Sequence, residues 1–170
     1  MTSHPHHRTD TTSPKPARRR RRILLVAVTS VLAAIAVAID PIARTTLADN
    51  PVDLGPVQLR LAYNTGVAFS LGDRLPAGLL LTLTIAITLG LATYAWRNAP
   101  HQPKLHTISF AAIIAGATAN VIDRLIDGKV TDYLHTGWWP TFNLADTYIT
   151  CGTTLLIIAI LLQHDTDHDQ

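Results

Sequence analysis

The sequence predicts an all-α integral membrane protein, a bundle of four transmembrane helices with a small β-element on the extracytoplasmic side. Composition is the first observation behind this prediction, since 48% of the 170 residues are hydrophobic and only 15% are charged. The second is that four runs contain no Asp, Glu, Lys or Arg, at residues 23–39, 75–96, 107–122 and 147–163. Because a helix needs about 17–25 apolar residues to cross the hydrocarbon core, each run is close to span length.

Five consecutive arginines, residues 18–22, precede the first run. Basic residues beside such a run are more often a topology signal than a nucleic-acid-binding patch, so we expect no nucleic-acid partner. The positive-inside rule places both termini in the cytoplasm, as a disordered basic tail (1–22) and a short tail (164–170) around a membrane domain (23–163). Residues 36–38, AVA, resemble a signal-peptide cleavage site, but the three further runs favour a retained anchor.

Under this topology two segments face outward, at about residues 41–74 and 125–145. In the first, Val57, Leu59, Leu61 and Tyr63 occupy alternate positions, which is typical of a strand with one apolar face. Turn-forming residues at 64–66 separate this strand from another apolar stretch at 67–69. We therefore expect a small sheet resting on the membrane surface.

Small residues mark one face of the third run. Ala111, Ala115 and Ala119 recur at every fourth position, with Gly116 on the adjacent stripe. Small side chains at this spacing let helices approach closely in lipid. The pattern predicts tight packing of the third span and carries no information about function.

Polar residues gather where the third span ends and the fourth begins. One group lies at i, i+3 and i+4 at the end of span three, another at i and i+3 at the start of span four, and an aspartate lies in the loop between them. These residues are Asn120, Asp123, Arg124, Asp132, Asn143 and Asp146. The topology brings all of them to the outer side of the membrane.

Two carboxylates at such a place have a possible chemical use. If Asp132 and Asp146 approach closely in a low-dielectric setting, one keeps a proton while the other acts as a base, which suits peptide hydrolysis without a metal. Spacing alone favours structural roles over this use. Asp146 can cap the fourth helix, Asp132 can be a solvated loop residue, and Asp123 can pair with Arg124.

Two rival functions fit parts of the pattern. A metal-dependent membrane enzyme would bind Mg²⁺ through the aspartates at 123, 127, 132 and 146, and His135 could suggest zinc. Against this, the chain has no His-Glu-x-x-His motif and no helix bearing several aspartates on one face. A non-enzymatic membrane subunit would use the same polar groups only to lock its helices together.

Four short blocks together resemble bacterial lipoprotein signal peptidase, also called signal peptidase II or prolipoprotein signal peptidase, an aspartic peptidase family. They are NTGVAF at 64–69, NVIDR at 120–124, VTDY at 130–133 and FNLAD at 142–146. Their order relative to the hydrophobic runs also fits, and the resemblance covers residues 23–163. One departure is DPIAR at 40–44, where the family usually has Asp-Gln-x-x-Lys. Arg44 keeps the positive charge, but Pro41 removes a backbone donor and a side-chain amide.

The resemblance implies an intramembrane aspartic endopeptidase that removes signal peptides from diacylglyceryl-modified prolipoproteins, cleaving immediately before the lipidated cysteine. Asp132 and Asp146 would share the acid and base roles, without a metal or other cofactor. Five residues would bind the substrate or support the pair: Asn64, Asn120, Asp123, Arg124 and Asn143. The implied setting is the bacterial cytoplasmic membrane, with lipid as a partner, the site facing outward and a monomeric bundle.

Overall fold

The computed structural model of the protein describes residues 15–65 and 76–168, with side chains described for 17–65 and 76–163. In chain order the elements are α1 (Lys15–Thr46), β1 (Val52–Asp53), β2 (Gln58–Asn64), α2 (Ala77–Asn98), α3 (Lys104–Asp127), β3 (Val130–His135) and α4 (Leu144–His168). Within these ranges four helices are long and apolar enough to cross a membrane. The predicted fold class, four spans with a small sheet, is confirmed.

The third helix, α3, is the centre of the bundle and packs against α1, α2 and α4. The predicted small-residue face is buried, with Ala111 and Ala115 fully inaccessible. A Cβ added at Gly116 would lie 2.2 Å from the carbonyl oxygen of Ala145, at the start of α4. Only a residue without a side chain permits this approach, so Gly116 sets the distance between α3 and the first turn of α4.

The first helix is longer than its hydrophobic run. It begins at Lys15, which corrects the predicted disordered tail through residue 22, because helical structure already includes the arginines. It also continues past Pro41 to Thr46, so the departure from the family pattern at this position does not end the helix. At 1.5 Å per residue its 32 residues span about 48 Å, well over the roughly 30 Å hydrocarbon core.

The sheet has three antiparallel strands in the order β1, β2, β3. Strand β2 matches the predicted alternation, but a register shift between Leu59 and Ala62 changes which side chains face inward. Tyr63, predicted for the apolar face, is instead 47% exposed. The third strand comes from the segment between α3 and α4, and the apolar stretch predicted at 67–69 lies outside the described residues.

The segment between α3 and α4 is therefore not the predicted loop. Gly128, with φ of +80°, ends α3 in a left-handed conformation, and β3 begins two residues later. The chain then turns back so that the Phe142 amide donates to the Leu134 carbonyl oxygen at 2.9 Å. This return places Asp132 on a strand and brings Asn143 and α4 alongside it.

Candidate active site

The start of α4 is closed by a reciprocal pair of side-chain caps. The Asp146 amide donates to Asn143 Oδ1 at 2.8 Å, and the Asn143 amide donates to Asp146 Oδ2 at 3.4 Å. This is the geometry of a capping box, with Asn143 preceding the helix and Asp146 in its first turn. The capping role considered for Asp146 is thus present, and it leaves the other carboxylate oxygen, Oδ1, for a different partner.

That partner is Asn120, near the end of α3, whose side-chain amide donates to Asp146 Oδ1 at 2.8 Å. Asn143 in turn donates to Asn120 Oδ1 at 3.0 Å and to the carbonyl oxygen of Thr131 at 3.3 Å. Asn143 is 1% exposed, so its amide is a structural connection between α3, β3 and α4. The two asparagines hold the Asp146 carboxylate in a fixed orientation.

Asp132 stands on β3 with its side chain directed into the protein, 3% exposed. Its Oδ1 atom is buried and lacks a hydrogen-bond partner among the described residues. Burial, followed by the charge of Asp146, raises the pKa of Asp132 to about 7, against opposing contributions from an Asn64 hydrogen bond and the Arg124 charge. An isolated buried carboxylate is costly, so Asp132 retains a proton into the neutral range.

Arg124, one residue beyond Asp123 on α3, interacts electrostatically with three aspartates, at positions 146, 132 and 123. Arg124 is partly buried, and its positive charge partly offsets the negative charge of these three aspartates. The structure therefore brings together Asn64, Asn120, Arg124, Asn143 and both predicted catalytic aspartates.

Asp123 lies in a neighbouring group, which we call the Arg44 cluster: Arg44, Asp123, Asp127 and Thr131. The Arg44 guanidinium donates to Asp123 Oδ1 at 2.5 Å, to Asp127 Oδ2 at 2.9 Å and to Thr131 Oγ1 at 2.7 Å. Asp123 Oδ2 accepts from the Thr131 amide at 2.6 Å. Both Asp123 oxygens thus accept hydrogen bonds, and the residue is 3% exposed.

Asp123 forms a salt bridge with Arg44, a partner not considered from the sequence, in addition to its electrostatic interaction with Arg124. The sequence indicates only that Arg44 retains the positive charge of the DPIAR block, and it does not indicate a partner for this residue. Its contacts to α3 and β3 depend on a fold that sequence spacing does not specify. The one signal that could have found it is a charged residue at the end of a membrane span, where charge is costly and needs a partner.

Tyr133 is a second supporting residue that sequence reasoning missed. Its hydroxyl oxygen accepts from the Leu144 amide at 3.1 Å, in the first turn of α4. Burial raises the pKa of Tyr133 to about 12, so the phenol stays neutral. Together with Asn143, this contact fixes the start of α4 against β3.

A cavity of about 380 Å³ opens beside Asp146. Its lining is largely apolar and comes from the turn after β3 and the first two turns of α4, including Trp138, Trp139, Phe142 and Cys151. Trp138 is 81% exposed, and its ring meets that of Trp139 edge to face with centroids 5.6 Å apart. We call this cavity the tryptophan groove.

The side chains that the metal-dependent alternative proposed as ligands do not form a metal site in the part of the chain that the structure describes. Among residues 15–65 and 76–168, no group of three or more His, Cys, Asp or Glu side chains is placed to hold a metal ion. Asp123 and Asp127 point to Arg44 instead. His135 lies 3.4 Å from the Thr141 hydroxyl.

Four apolar helices with two electrostatically coupled aspartates at one end define a membrane-embedded protein with an aspartic-peptidase type of site. Comparison with known proteins makes this class specific. The family model "Signal peptidase (SPase) II" matches residues 28–162. The chain belongs to the signal peptidase II family, membrane aspartic peptidases that process prolipoproteins by cleaving before the lipidated cysteine.

Curated relatives agree with this assignment. The chain is 38% identical over 108 residues to the lipoprotein signal peptidase of Syntrophomonas wolfei, covering 64% of this chain and 70% of the relative. It is 39% identical over 121 residues to that of Chlorobaculum parvum, covering 63% and 74%. A solved bacterial membrane enzyme superposes with a TM-score of 0.69 at 25% identity, over 85% of this chain and 93% of that one.

Proposed function

We propose that Asp132 and Asp146 are the catalytic residues of this lipoprotein signal peptidase, with Asp132 as the acid and Asp146 as the base. The observation that carries the proposal is the asymmetry of their surroundings. Asp146 accepts hydrogen bonds on both oxygens, which suits an ionised carboxylate. Asp132 has a raised pKa and a buried oxygen with no hydrogen-bond partner in the part of the chain that the structure describes. Two carboxyl groups in such different surroundings are what acid–base hydrolysis requires.

In the proposed reaction, ionised Asp146 takes a proton from a water molecule as its oxygen attacks the scissile carbonyl carbon. Protonated Asp132 donates its proton to the carbonyl oxygen, which gives a neutral tetrahedral intermediate. The intermediate collapses when the C–N bond breaks: Asp146 returns its proton to the leaving amine, and the hydroxyl proton passes back to Asp132. Arg124 offsets the negative charge of the pair throughout.

The substrate is a prolipoprotein whose cysteine carries diacylglycerol, and we propose that the tryptophan groove receives an apolar part of it. The groove borders Asp146 and is walled by aromatic rings beside the start of α4. The acyl chains on the lipidated cysteine stay in the bilayer, so the scissile peptide bond must meet Asp132 and Asp146 at the membrane surface. We propose that Asn64, which forms a hydrogen bond with Asp132, binds substrate backbone, and that Asn120, Asp123 and Asn143 support the aspartates.

The arginine-rich start of α1 supports a topology with both termini in the cytoplasm of a bacterial cell and the aspartate end facing outward. One chain contains both aspartates and all the residues that orient them, so we propose that a monomer is active in the lipid bilayer. Cysteine accessibility from the two sides of sealed vesicles tests the orientation.

The test of function is processing of a purified diacylglyceryl-modified prolipoprotein by wild type, Asp132→Asn and Asp146→Asn, with thermal unfolding measured on each. Both variants should stay folded and lose about 10²–10⁴-fold in rate. Asp49→Asn, an exposed carboxylate before β1, is the matched control and should keep wild-type activity. Processing at the normal rate by either site variant would refute the assignment, as would complete loss in EDTA with recovery in Mg²⁺.

A further inference from the structure

A second cavity, of about 600 Å³, lies at the opposite end of the bundle from the aspartates, between the start of α1 and the end of α2. We call it the basic groove. Its principal walls are Arg18, Arg19, Arg22, Ile23, Val26 and Trp96. The peptidase reaction uses none of these residues.

The wall formed by α1 changes character along the helix. Arg18 and Arg22 are separated by four residues, as are Arg19 and Ile23, so these side chains share one face of α1. One turn further on, the same face continues with Val26. The groove is therefore cationic at the end of the helix and apolar toward the bundle, which matches a molecule with an anionic head and an apolar tail.

Arg22, one of the arginines of the groove, is held in position by Trp96. Arg22 Nε donates to the Trp96 carbonyl oxygen at 3.3 Å, and its guanidinium carbon lies 5.0 Å from the centre of the Trp96 ring. This cation–π contact orients Arg22 across the groove. Trp residues are also enriched where a helix leaves the hydrocarbon core, which sets the groove at the boundary of the membrane.

The positive charge of the groove is not compensated within the described structure. Every salt bridge found among the described side chains involves Arg44, at the other end of α1. Arg18 Nε is buried and has no hydrogen-bond partner among those side chains. Like charges four residues apart on a helix repel, so an anion bound between them would remove a cost that the helix otherwise carries.

We propose that the basic groove is a binding site for an anionic phospholipid, whose headgroup phosphate contacts Arg18, Arg19 and Arg22 and whose acyl chains lie along Ile23 and Val26. Basic pockets between transmembrane helices are suited to anionic headgroups. A free phosphate ion would use the arginines and leave the apolar half of the groove unfilled. This lipid-binding proposal does not depend on the proposed catalytic roles of Asp132 and Asp146.

Lipid binding to the full-length protein in detergent, measured by native mass spectrometry, tests the proposal. Phosphatidylglycerol is titrated against phosphatidylcholine, with two double variants. Arg19→Gln/Arg22→Gln changes the groove, whereas Arg20→Gln/Arg21→Gln removes the same charge from arginines outside the groove lining. The groove variant should bind phosphatidylglycerol at least about tenfold more weakly, and the matched variant should stay within about twofold of wild type.

A pair of single variants keeps the test valid if a double variant unfolds. Arg19 and Arg20 are both exposed, so Arg19→Gln and Arg20→Gln should both fold, and only Arg19→Gln should lose affinity. Equal losses in the two members of either pair would show diffuse surface charge and overturn the proposal. It would also fail if phosphatidylcholine bound as tightly as phosphatidylglycerol, or if millimolar inorganic phosphate or an oligonucleotide displaced the lipid.

Discussion

The Arg44 cluster and the aspartate pair of Asp132 and Asp146 lie side by side at one end of the bundle. They differ in how completely their buried carboxylate oxygens are hydrogen-bonded. Asp123 is buried, and both of its oxygens are bound by donors from α1 and β3. Asp132 is equally buried, but one of its oxygens has no hydrogen-bond partner among the described residues. The first arrangement joins elements of the fold, and the second raises the pKa of Asp132, as the proposed acid role requires.

The same strand serves both regions. Thr131 donates to Asp123 through its amide and accepts from Arg44 through its hydroxyl, and the next residue is Asp132. Successive side chains on a strand point to opposite faces, so the cluster fixes the face from which Asp132 projects. We infer that the fully hydrogen-bonded Arg44 cluster contributes stability, and that this stability offsets the free-energy cost of burying the incompletely hydrogen-bonded aspartate pair.

Loss of the Arg44 side chain is the strongest way to break this comparison. Arg44→Met leaves Asp123 buried without its cation and should lower the free energy of unfolding by about 3–5 kcal/mol. Arg44→Lys restores the charge without the planar set of donors and should recover part of that loss. Thermal unfolding in detergent measures both variants. Arg60→Met, at an exposed arginine of β2, is the control and should change little.

The second-largest effect is expected from a change in the packing of α3 against α4. Gly116→Ala places a methyl group against the Ala145 carbonyl oxygen and should cost about 1–3 kcal/mol of stability while displacing Asp146. Gly90→Ala is the matched control, since nothing lies within 4 Å of its added Cβ and α2 should be stabilised by about 0.5–1 kcal/mol. Equal melting temperatures for the two variants would contradict the close helix contact.

Asp132 itself should carry a stability cost that depends on pH. Its pKa is about 7 in the folded protein and 3.8 for an ordinary carboxyl, so ionisation in the fold is unfavourable, and stability falls as pH rises from about 4 through 7. Asp132→Asn removes the cost and should raise the melting temperature above pH 7 by about 2–8 °C. Below about pH 4 the gain should vanish, and a gain independent of pH would contradict this origin.

The smallest effect expected is a shift of the pH profile. If protonated Asp132 is the acid, kcat/KM should fall with an apparent pKa of about 7 as pH rises. The hydrogen bond from Asn64 lowers that pKa, so Asn64→Ala should move the fall to higher pH, by less than about one unit. A profile that stays in place, or moves to lower pH, would argue against Asp132 as the acid.

The helices and the identity of the polar residues could be predicted from the sequence because charge-free runs and short motifs are local properties. The alternation at 57–63 likewise indicates β2. The bulge that turns Tyr63 outward and the pairing of β2 with β3 could not be predicted, because they depend on contacts between segments distant in the chain. For the same reason the sequence predicts a loop at Asp132, where the partner strand β2 in fact holds the backbone in a sheet.

Spacing predicts that Asn120, Asp123 and Arg124 share one face of α3, but it cannot predict which residue each of them contacts. Asn120 contacts Asp146 on α4, while Asp123 contacts Arg44 on α1. These choices are made by the packing of α3 between two helices that the sequence does not place relative to each other.

Paired measurements on Asp132→Asn and Asp123→Asn test the division between pair and cluster most directly. Each purified variant is assayed for prolipoprotein processing per folded molecule and for its melting temperature at a pH just above the Asp132 pKa of about 7. We predict that Asp132→Asn is inactive with a melting temperature at or above that of wild type, and that Asp123→Asn melts lower but retains measurable processing. The reverse result, an active Asp132→Asn or an Asp123→Asn of unchanged stability, would contradict the account.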